Sequence, residues 1–531
     1  MKAIVALLWL IVLWITPAES LSTLKLVENT AIDNDGNDVL FAELHDNSDT
    51  VVYVKKDVAS TASDDWSFVL NNLTTGGDSR GVIAQGDPDI FYGFTHGPAQ
   101  SIIYARDAGQ SVGGARGLYY GFFNRSDSGL IKNNATYPAY VAGGATYNFA
   151  YVRDSGTLYV ATMSSDTPSL PANDVKVFVP GTEIKALRSP KWSPDAQSLV
   201  FAAEESGDSQ ASIYVLKNVQ SLAAAGTALN LLTDTGIARI TNDTFYNAFP
   251  HFVGNDQFVL YTRANPYANF RFANFADTGG CTTVVVSGTN WDAMLYDRSQ
   301  SQTWSVDTSA ATSAVSSSAG HRGYILLVTT TNNIDTDGDL ASAVIQTTQT
   351  LTAASSGTFY FPTNARLKLQ SGAVPTCTFT VVPDTPKSVL KSDTRDGMEA
   401  VIAPVHITID VPNDSTDKFK IEVIMFYHDI ELANYVELAT RGQVYDTQTR
   451  TWKSAGTGID VSSNLVTFTA PHFSAFGVGL TSEFIVSLRG ESCLVRRWGA
   501  SPPLLAGARR LRDILLNSPW GRRAARCYYA I

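Results

Sequence analysis

Four cysteines in 531 residues are too few to brace a chain as a disulfide scaffold. No CxxC or Cys/His spacing points to zinc. Charged residues are also scarce, at 17%, while aromatics reach 11%, which excludes a disordered chain and fits a large, well-buried β-rich one. After the first twenty residues no apolar run approaches the roughly 20 residues that a spanning helix needs, so no membrane span is expected in the mature chain. Lysine is absent from Thr481 onward. That tail has nine arginines against three acids, a net of +6, which leaves residues 1–480 at −17. So acidic a body excludes nucleic acid as a partner, because phosphate binding needs a basic face. The seven histidines are scattered and form no HExxH, so they indicate no metal site.

What is present begins with MKAIVALLWLIVLWITPAES. One lysine, an apolar run from Ala3 to Ile15 and the small residues Ala18 and Ser20 make a secretory leader over residues 1–20. The expected location is therefore secreted, periplasmic or at the extracellular surface. At this length more than one domain is expected.

From residue 21 to about 330 short strands alternate with Gly/Asp/Asn/Ser turns, as in NFAYVRDSGTLYVATMS and SLVFAAEESGDSQASIYVLKN. The units SPKWSPDAQSLVFAAEE and AFPHFVGNDQFVLYTRA repeat one pattern, and repeats of this size mean propeller blades. Pro190, Trp192, Ser193, Pro194 and Asp195 resemble the repeat of TolB-like β-propellers. In that family a proline leads into the inner strand, an aromatic packs between blades, and a Pro-Asp-Gly turn follows. Ala196 stands here for the usual glycine, and the second unit keeps Pro250, Phe252 and Asn255-Asp256. The resemblance implies an all-β chain with a degenerate β-propeller of about six blades over residues 21–330, a protein-binding platform in its relatives. The strand GYILLVTTT is expected to close it.

Residues 331–355, in a stretch rich in Ser, Thr and Ala, read as a linker. Residues 356–480 read as a smaller β-sandwich. Gly372 to Pro375, then Tyr445, Asp446, Thr449 and Trp452, then a terminal His-Phe-Ser strand resemble the zonula-occludens/uncoordinated-receptor (ZU) domain in its own order. The basic tail, residues 481–531, is expected to be disordered.

Candidate sites are few. His472, Phe473 and Ser474 match the self-cleaving His-Phe-Ser of nucleoporin-type and some ZU domains. That resemblance makes Ser474 the nucleophile, Phe473 the acyl donor and His472 the base, and the chemistry needs a strained amide. The competing reading is a closing strand with Phe473 plugging the core. Gly77-Asp78-Ser79-Arg80-Gly81 matches G-x-S-x-G but lacks the strand-to-helix context of a nucleophile elbow. Asp335, Asp337 and Asp339 could begin a calcium loop, although Asp-Gly pairs also make tight turns. Calcium is the one cofactor this admits. Cys281 and Cys377 could pair and staple the two halves together. Asn72, Asn124, Asn134, Asn242 and Asn413 open N-x-S/T sequons, glycan acceptors in a eukaryotic secretory route.

Together these features favour an exported, non-catalytic interaction protein that binds a protein or cell-surface ligand. The alternatives are a secreted propeller hydrolase and a protein processed at Phe473-Ser474. The lining of the central channel separates them: acids with a histidine suit turnover, Ser, Thr and aliphatics suit binding.

Overall fold

The computed structural model of the chain describes residues 23–495 apart from 34–38, 45–49, 57–65, 74–76, 82–92, 99–100, 107–116, 124–127, 143–144, 154–155, 165–167, 170–173, 183, 207–209, 266–269, 275–281, 287–289, 307–312, 320–321, 331–338, 353, 371, 373, 375, 384–399, 411–420, 428–431, 433–436, 438–439, 447, 456–457, 462, 471, 481–483 and 489–490. The leader and the tail beyond 495 thus lie outside the described residues, as do Cys281, Asp335, Asp337, Asn124 and Asn413.

After β1 (Thr23–Asp33) come five four-stranded antiparallel sheets in chain order. The first is β2 (Val39–Leu44), β3 (Thr50–Lys56), β4 (Trp66–Asn72) and β5 (Gly77–Gly81). The second is β6 (Phe94–Gly97), β7 (Ser101–Arg106), β8 (Gly117–Phe122) and β9 (Ser128–Asn133). The third is β10 (Ala135–Tyr140), β11 (Phe149–Arg153), β12 (Thr157–Ala161) and β13 (Val175–Phe178). The fourth is β14 (Ile184–Trp192), β15 (Leu199–Glu205), β16 (Ala211–Leu216) and β17 (Ile237–Arg239), with the short helix α1 (Val219–Ala225) between its last two strands. The fifth is β18 (Tyr246–Val253), β19 (Phe258–Asn265), β22 (Asn290–Asp297) and β23 (Gln302–Ser305), and carries a hairpin of β20 (Phe270–Asn274) and β21 (Thr282–Val286). The sixth begins with β24 (Ser313–Ala319), β25 (Tyr324–Thr330) and β26 (Asp339–Leu351).

The inner strands β2, β6, β10, β14, β18 and β24 touch in sequence, and β24 meets β2 again, so the six sheets close a ring. Closure comes from the far end of the chain. β1 lies antiparallel on β26 as the outer strand of the sixth blade, from Thr23 opposite Thr348 to Asp33 opposite Leu340. β25, the GYILLVTTT strand expected to close the ring, is an interior strand of that blade. Middle strands such as β12 (TLYVA) and β16 (ASIYVL) are buried along their whole length. Neighbouring blades cover both their faces, which suits an unbroken apolar run.

The stretch 331–355 is not a linker: β26 occupies thirteen residues of it. Its Ser/Thr/Ala composition suggests a loop, but Thr is a good strand former and Ala343, Ile345 and Leu351 alternate into the core. The N-terminal part of β26 pairs with β25, and Thr347–Leu351 pairs with β29 (Cys377–Pro383). One strand therefore runs from the ring into the second half.

That half is a two-layer sandwich. One layer continues through β29, β30 (Ala400–Ile409), β36 (Ala475–Leu480), β32 (Arg441–Asp446) and β33 (Thr451–Ser454). The other is β27 (Gly357–Tyr360), β28 (Ala365–Leu369), β31 (Ile421–Phe426), β35 (Leu465–Ala470) and β34 (Gly458–Asp460). Here burial alternates residue by residue, as in β31 with Ile421, Val423 and Met425 inward, because one face of each sheet is dry. The tail expected to be disordered forms a hairpin at its start, β37 (Phe484–Leu488) with β38 (Glu491–Val495). The apolar runs Phe-Ile-Val and Cys-Leu-Val flank Arg489-Gly490 at hairpin spacing, which outweighs the tail's basic composition there.

The junction is dry and close. Val253, Phe258, Leu295, Ile325 and Ile345 of the ring share one core with Phe361, Phe379, Val405 and Phe476 of the sandwich. Gly254, at φ +70°, lies where a Cβ would sit 2.3–2.5 Å from the backbone of Thr363. Gly323, at φ +88°, stands equally close to Pro362 O, at 2.4 Å. Asn255 Nδ2 donates to Phe361 O and Thr363 O at 2.8 and 3.1 Å, which seats the 361–363 turn on the fifth blade.

Candidate functional site

Three inner strands carry the same irregularity. In β10, β14 and β18 the residues Tyr137, Ser189 and Phe249 adopt φ of 48–50°, and each precedes a proline (Pro138, Pro190, Pro250). At each place three steps along the inner strand match two along its partner, as Arg188 opposite Ala202 and Lys191 opposite Val200 show. This is a β-bulge, and proline fits it because a bulged position needs no ladder donor. The extra residue changes parity. Arg188 and Lys191, three apart, would face opposite sides of a regular strand, and the bulge puts both on one side.

Trp192 and Phe252 stand three residues after their bulges, and each packs between blades. Trp192 lies among residues of blades three and four, and its Nε1 donates to Ala139 O at 3.3 Å. Phe252 lies among residues of blades four and five. After Trp192 the turn is locked locally: Asp195 accepts from Ser193 Oγ at 2.6 Å and from Gln197 N at 3.0 Å, while Ala196 takes φ 56° where a glycine is usual.

The bulges aim a polar network into the channel. Glu43, next to last in β2 and 6% exposed, accepts from Thr95 Oγ1 of β6 at 2.8 Å and from Lys191 Nζ of β14 at 2.7 Å. His96 Nδ1 stands 3.5 Å away. Thr95 Oγ1 accepts in turn from Tyr140 N of β10 at 3.2 Å, and the Tyr140 ring meets the His96 ring edge-on. Blades one and four are opposite each other in a ring of six, so Lys191 crosses the axis. Burial alone would raise the Glu43 pKa; the Lys191 charge and the His96 contact outweigh it and hold the group at about 2. A second layer is centred on Arg188, 3% exposed, whose Nη1 lies 3.0 Å from Glu204 Oε2 and donates to Tyr246 OH at 2.7 Å. Burial opposes the Arg188 charge, but Tyr246, Tyr137 and Glu204 outweigh it and raise the pKa. Tyr246 itself is pushed up to about 12 by burial.

None of these channel residues is singled out by the sequence. Glu43 and Lys191 are 148 residues apart, and no motif joins them. The available signal was the Tyr-Pro, Ser-Pro and Phe-Pro steps, which mark three inner strands and hence the residues that face the axis.

The sequence-predicted sites are dispersed. Phe473 is buried and its ring centre lies 4.7 Å from that of Phe379. Ser474 Oγ donates to Tyr445 O at 2.5 Å, and Ile407 N donates to Ser474 O at 3.0 Å. His472 Nδ1 lies 3.4 Å from Phe473 O. Phe473 and Ser474 are absent from the residues with positive φ. Cys377 is a buried free thiol whose pKa burial pushes up to about 11, and Cys281, the partner suggested for it, lies outside the described residues. Asp339 opens β26 opposite Thr329. Among the described residues no group of three His, Cys, Asp or Glu is arranged to hold a metal. Gly77–Gly81 is the outer strand of the first blade, not a loop or an elbow. Asn134 and Asn242 are exposed, and Asn72 ends β4 half-buried.

No family model matches the chain, and no curated protein matches it. Solved structures do. A putative TolB from Agrobacterium tumefaciens is 10% identical with a TM-score of 0.37, over 61% of this chain and 99% of that one. TolB from Acinetobacter baumannii is 12% identical at 0.30, over 59% of this chain and 56% of that one. A puromycin hydrolase is 10% identical at 0.32, over 75% and 60%. This chain thus spans less than two thirds of the latter two. Blade number and closure rest on the strand pairing above.

Proposed function

We propose that this is an exported interaction protein, a six-bladed propeller fused to a ZU-like sandwich, that binds a protein or surface ligand without turning it over. The observation that carries this reading is the state of the channel acids. Glu43 and Glu204 are each committed to a cation, Lys191 at 2.7 Å and Arg188 at 3.0 Å, an arrangement that suits a fixed inner surface better than a mobile acid–base pair. The leader supports export, and among the described residues no helix is long and apolar enough to cross a membrane. The ZU-like reading draws on the Tyr445–Trp452 pair, with ring centres 5.4 Å apart on adjacent strands, and on a last strand that follows His472-Phe473-Ser474. For that tripeptide we favour the closing strand. Its serine donates to a carbonyl, which is no base, and its phenylalanine fills the core.

One observation favours the hydrolase alternative: an acid and a histidine, Glu43 and His96, stand 3.5 Å apart on adjacent inner strands. The test is capture from the cell-surface fraction by the full exported chain, then titration of the captured protein against wild type and Arg188→Gln. Saturable binding that the substitution weakens supports the platform. Hydrolysis of ester, peptide or glycoside substrates that Glu43→Gln abolishes replaces it with the enzyme.

A further inference from the structure

The Glu43 cluster has a second property, independent of any ligand. Glu43, His96 and Lys191 each lie one residue from the end of their inner strands, in one layer where those strands turn outward. Through Glu43 this layer ties blade one to blade two (Thr95, His96) and to blade four (Lys191), and through Thr95 to blade three. Blades one and two also share an apolar cluster, Val52, Val54 and Phe68 with Phe94, Ile102 and Tyr104. The Glu43 carboxylate thus supplies the polar bridge at the inner end of a seam otherwise held by apolar packing. We propose that Glu43 is an acid-released latch: losing its charge frees Lys191 and His96 and lets the seam between the first two blades open while the others hold.

Among the described residues the titratable groups around it come from few elements. Lys191 comes from β14, His96 from β6, and Tyr140 of β10 stands behind His96. Of the elements flanking β2, β3 carries Tyr53, Lys55 and Lys56, β25 carries Tyr324, β26 carries Asp339, and β24 (SAVSSSA) carries none. Tyr53 and Tyr324 pack with Ala42 and Leu44, the face of β2 away from Glu43. A buried ion pair adds little net stability over an apolar replacement, but removing one partner is costly, the energetics a switch requires. The sign follows from the depressed Glu43 pKa: the latch holds above the ordinary carboxylate range and is lost as pH falls towards about 2.

Amide hydrogen exchange on the full chain tests this. Glu43→Gln at pH 7 should speed exchange in β2 and β6 by at least about tenfold, with β14 and β18 unchanged. Wild type should show the same local pattern only on acidification. Lys191→Met leaves the carboxylate buried beside His96 alone, which reverses the sign: the seam then opens at neutral pH and tightens as acid protonates Glu43. Uniform acceleration through all six blades, or a Lys191→Met variant with the wild-type direction of pH dependence, overturns the latch.

Discussion

The channel and the junction are built from the same strands by opposite chemistry. At the axis, buried charges are paired, Glu43 with Lys191 across blades and Arg188 with Glu204 inside blade four, with hydroxyls such as Thr95 and Tyr246 bonding from neighbouring blades. At the junction, Phe361, Phe379 and Ile345 meet without a charge, and two glycines let the backbones touch. Apolar burial is non-directional and adds stability in proportion to area. Paired charges add little net stability but tolerate one geometry only. The difference separates what holds this molecule together from what sets its inner surface. Dry contacts should therefore dominate melting, and ionic ones should show up in pH dependence.

The largest effect is expected from the dry contacts between blades. Trp192→Ala removes an aromatic wedged between blades three and four and should cost about 3–5 kcal/mol. A calorimetric melting temperature unchanged by the substitution would show that this contact carries no load. Next comes the junction. Gly254→Ala places a Cβ against the Thr363 backbone and demands a positive φ from alanine, together roughly 2–4 kcal/mol. Limited proteolysis should then release the sandwich from the ring before either unfolds. Simultaneous loss of both would mean that the two halves unfold as one unit.

The ionic side is read by acid titration. Glu43 contributes stability above its unfolded pKa near 4.5, and that contribution falls away as pH drops towards about 2, up to about 3 kcal/mol in all. Melting temperatures of wild type and Glu43→Gln should converge as pH is lowered through this window. A constant gap between them would mean that Glu43 is not held ionised by its neighbours.

How much of this was legible follows from distance along the chain. Hairpins pair residues a few positions apart, so the all-β class and the Trp192 unit could be read from alternation and turn residues. The closing pair of β1 and β26 joins residues more than three hundred apart, and neither strand has a signature of its own. β26 was hidden by composition: its serines, threonines and alanines read as a linker until the partners on both edges are known. The Glu43 network was hidden by cancellation, since paired charges leave no trace in net charge or in local motifs. The Tyr-Pro, Ser-Pro and Phe-Pro bulges were the one local clue to the channel, visible as prolines inside apolar runs.

The smallest effect expected is at Ser474, where the closing-strand reading separates cleanly from self-cleavage. Acyl transfer to Ser474 Oγ would require its proton to be taken by a base and the Phe473 amide to be distorted. In the sandwich Oγ donates to Tyr445 O, a bond between β32 and the start of β36, and His472 Nδ1 contacts the Phe473 carbonyl oxygen instead. Removing that hydroxyl leaves one carbonyl short of a donor, so Ser474→Ala should lower stability by only about 1 kcal/mol. Phe473→Ala, which empties a core position against Phe379, should cost several times more. Intact mass under denaturing conditions should give one full-length species for both wild type and Ser474→Ala. A fragment beginning at Ser474 in wild type alone would mean that the strand end is a processing site, and that the hydroxyl's bond to Tyr445 belongs to the precursor.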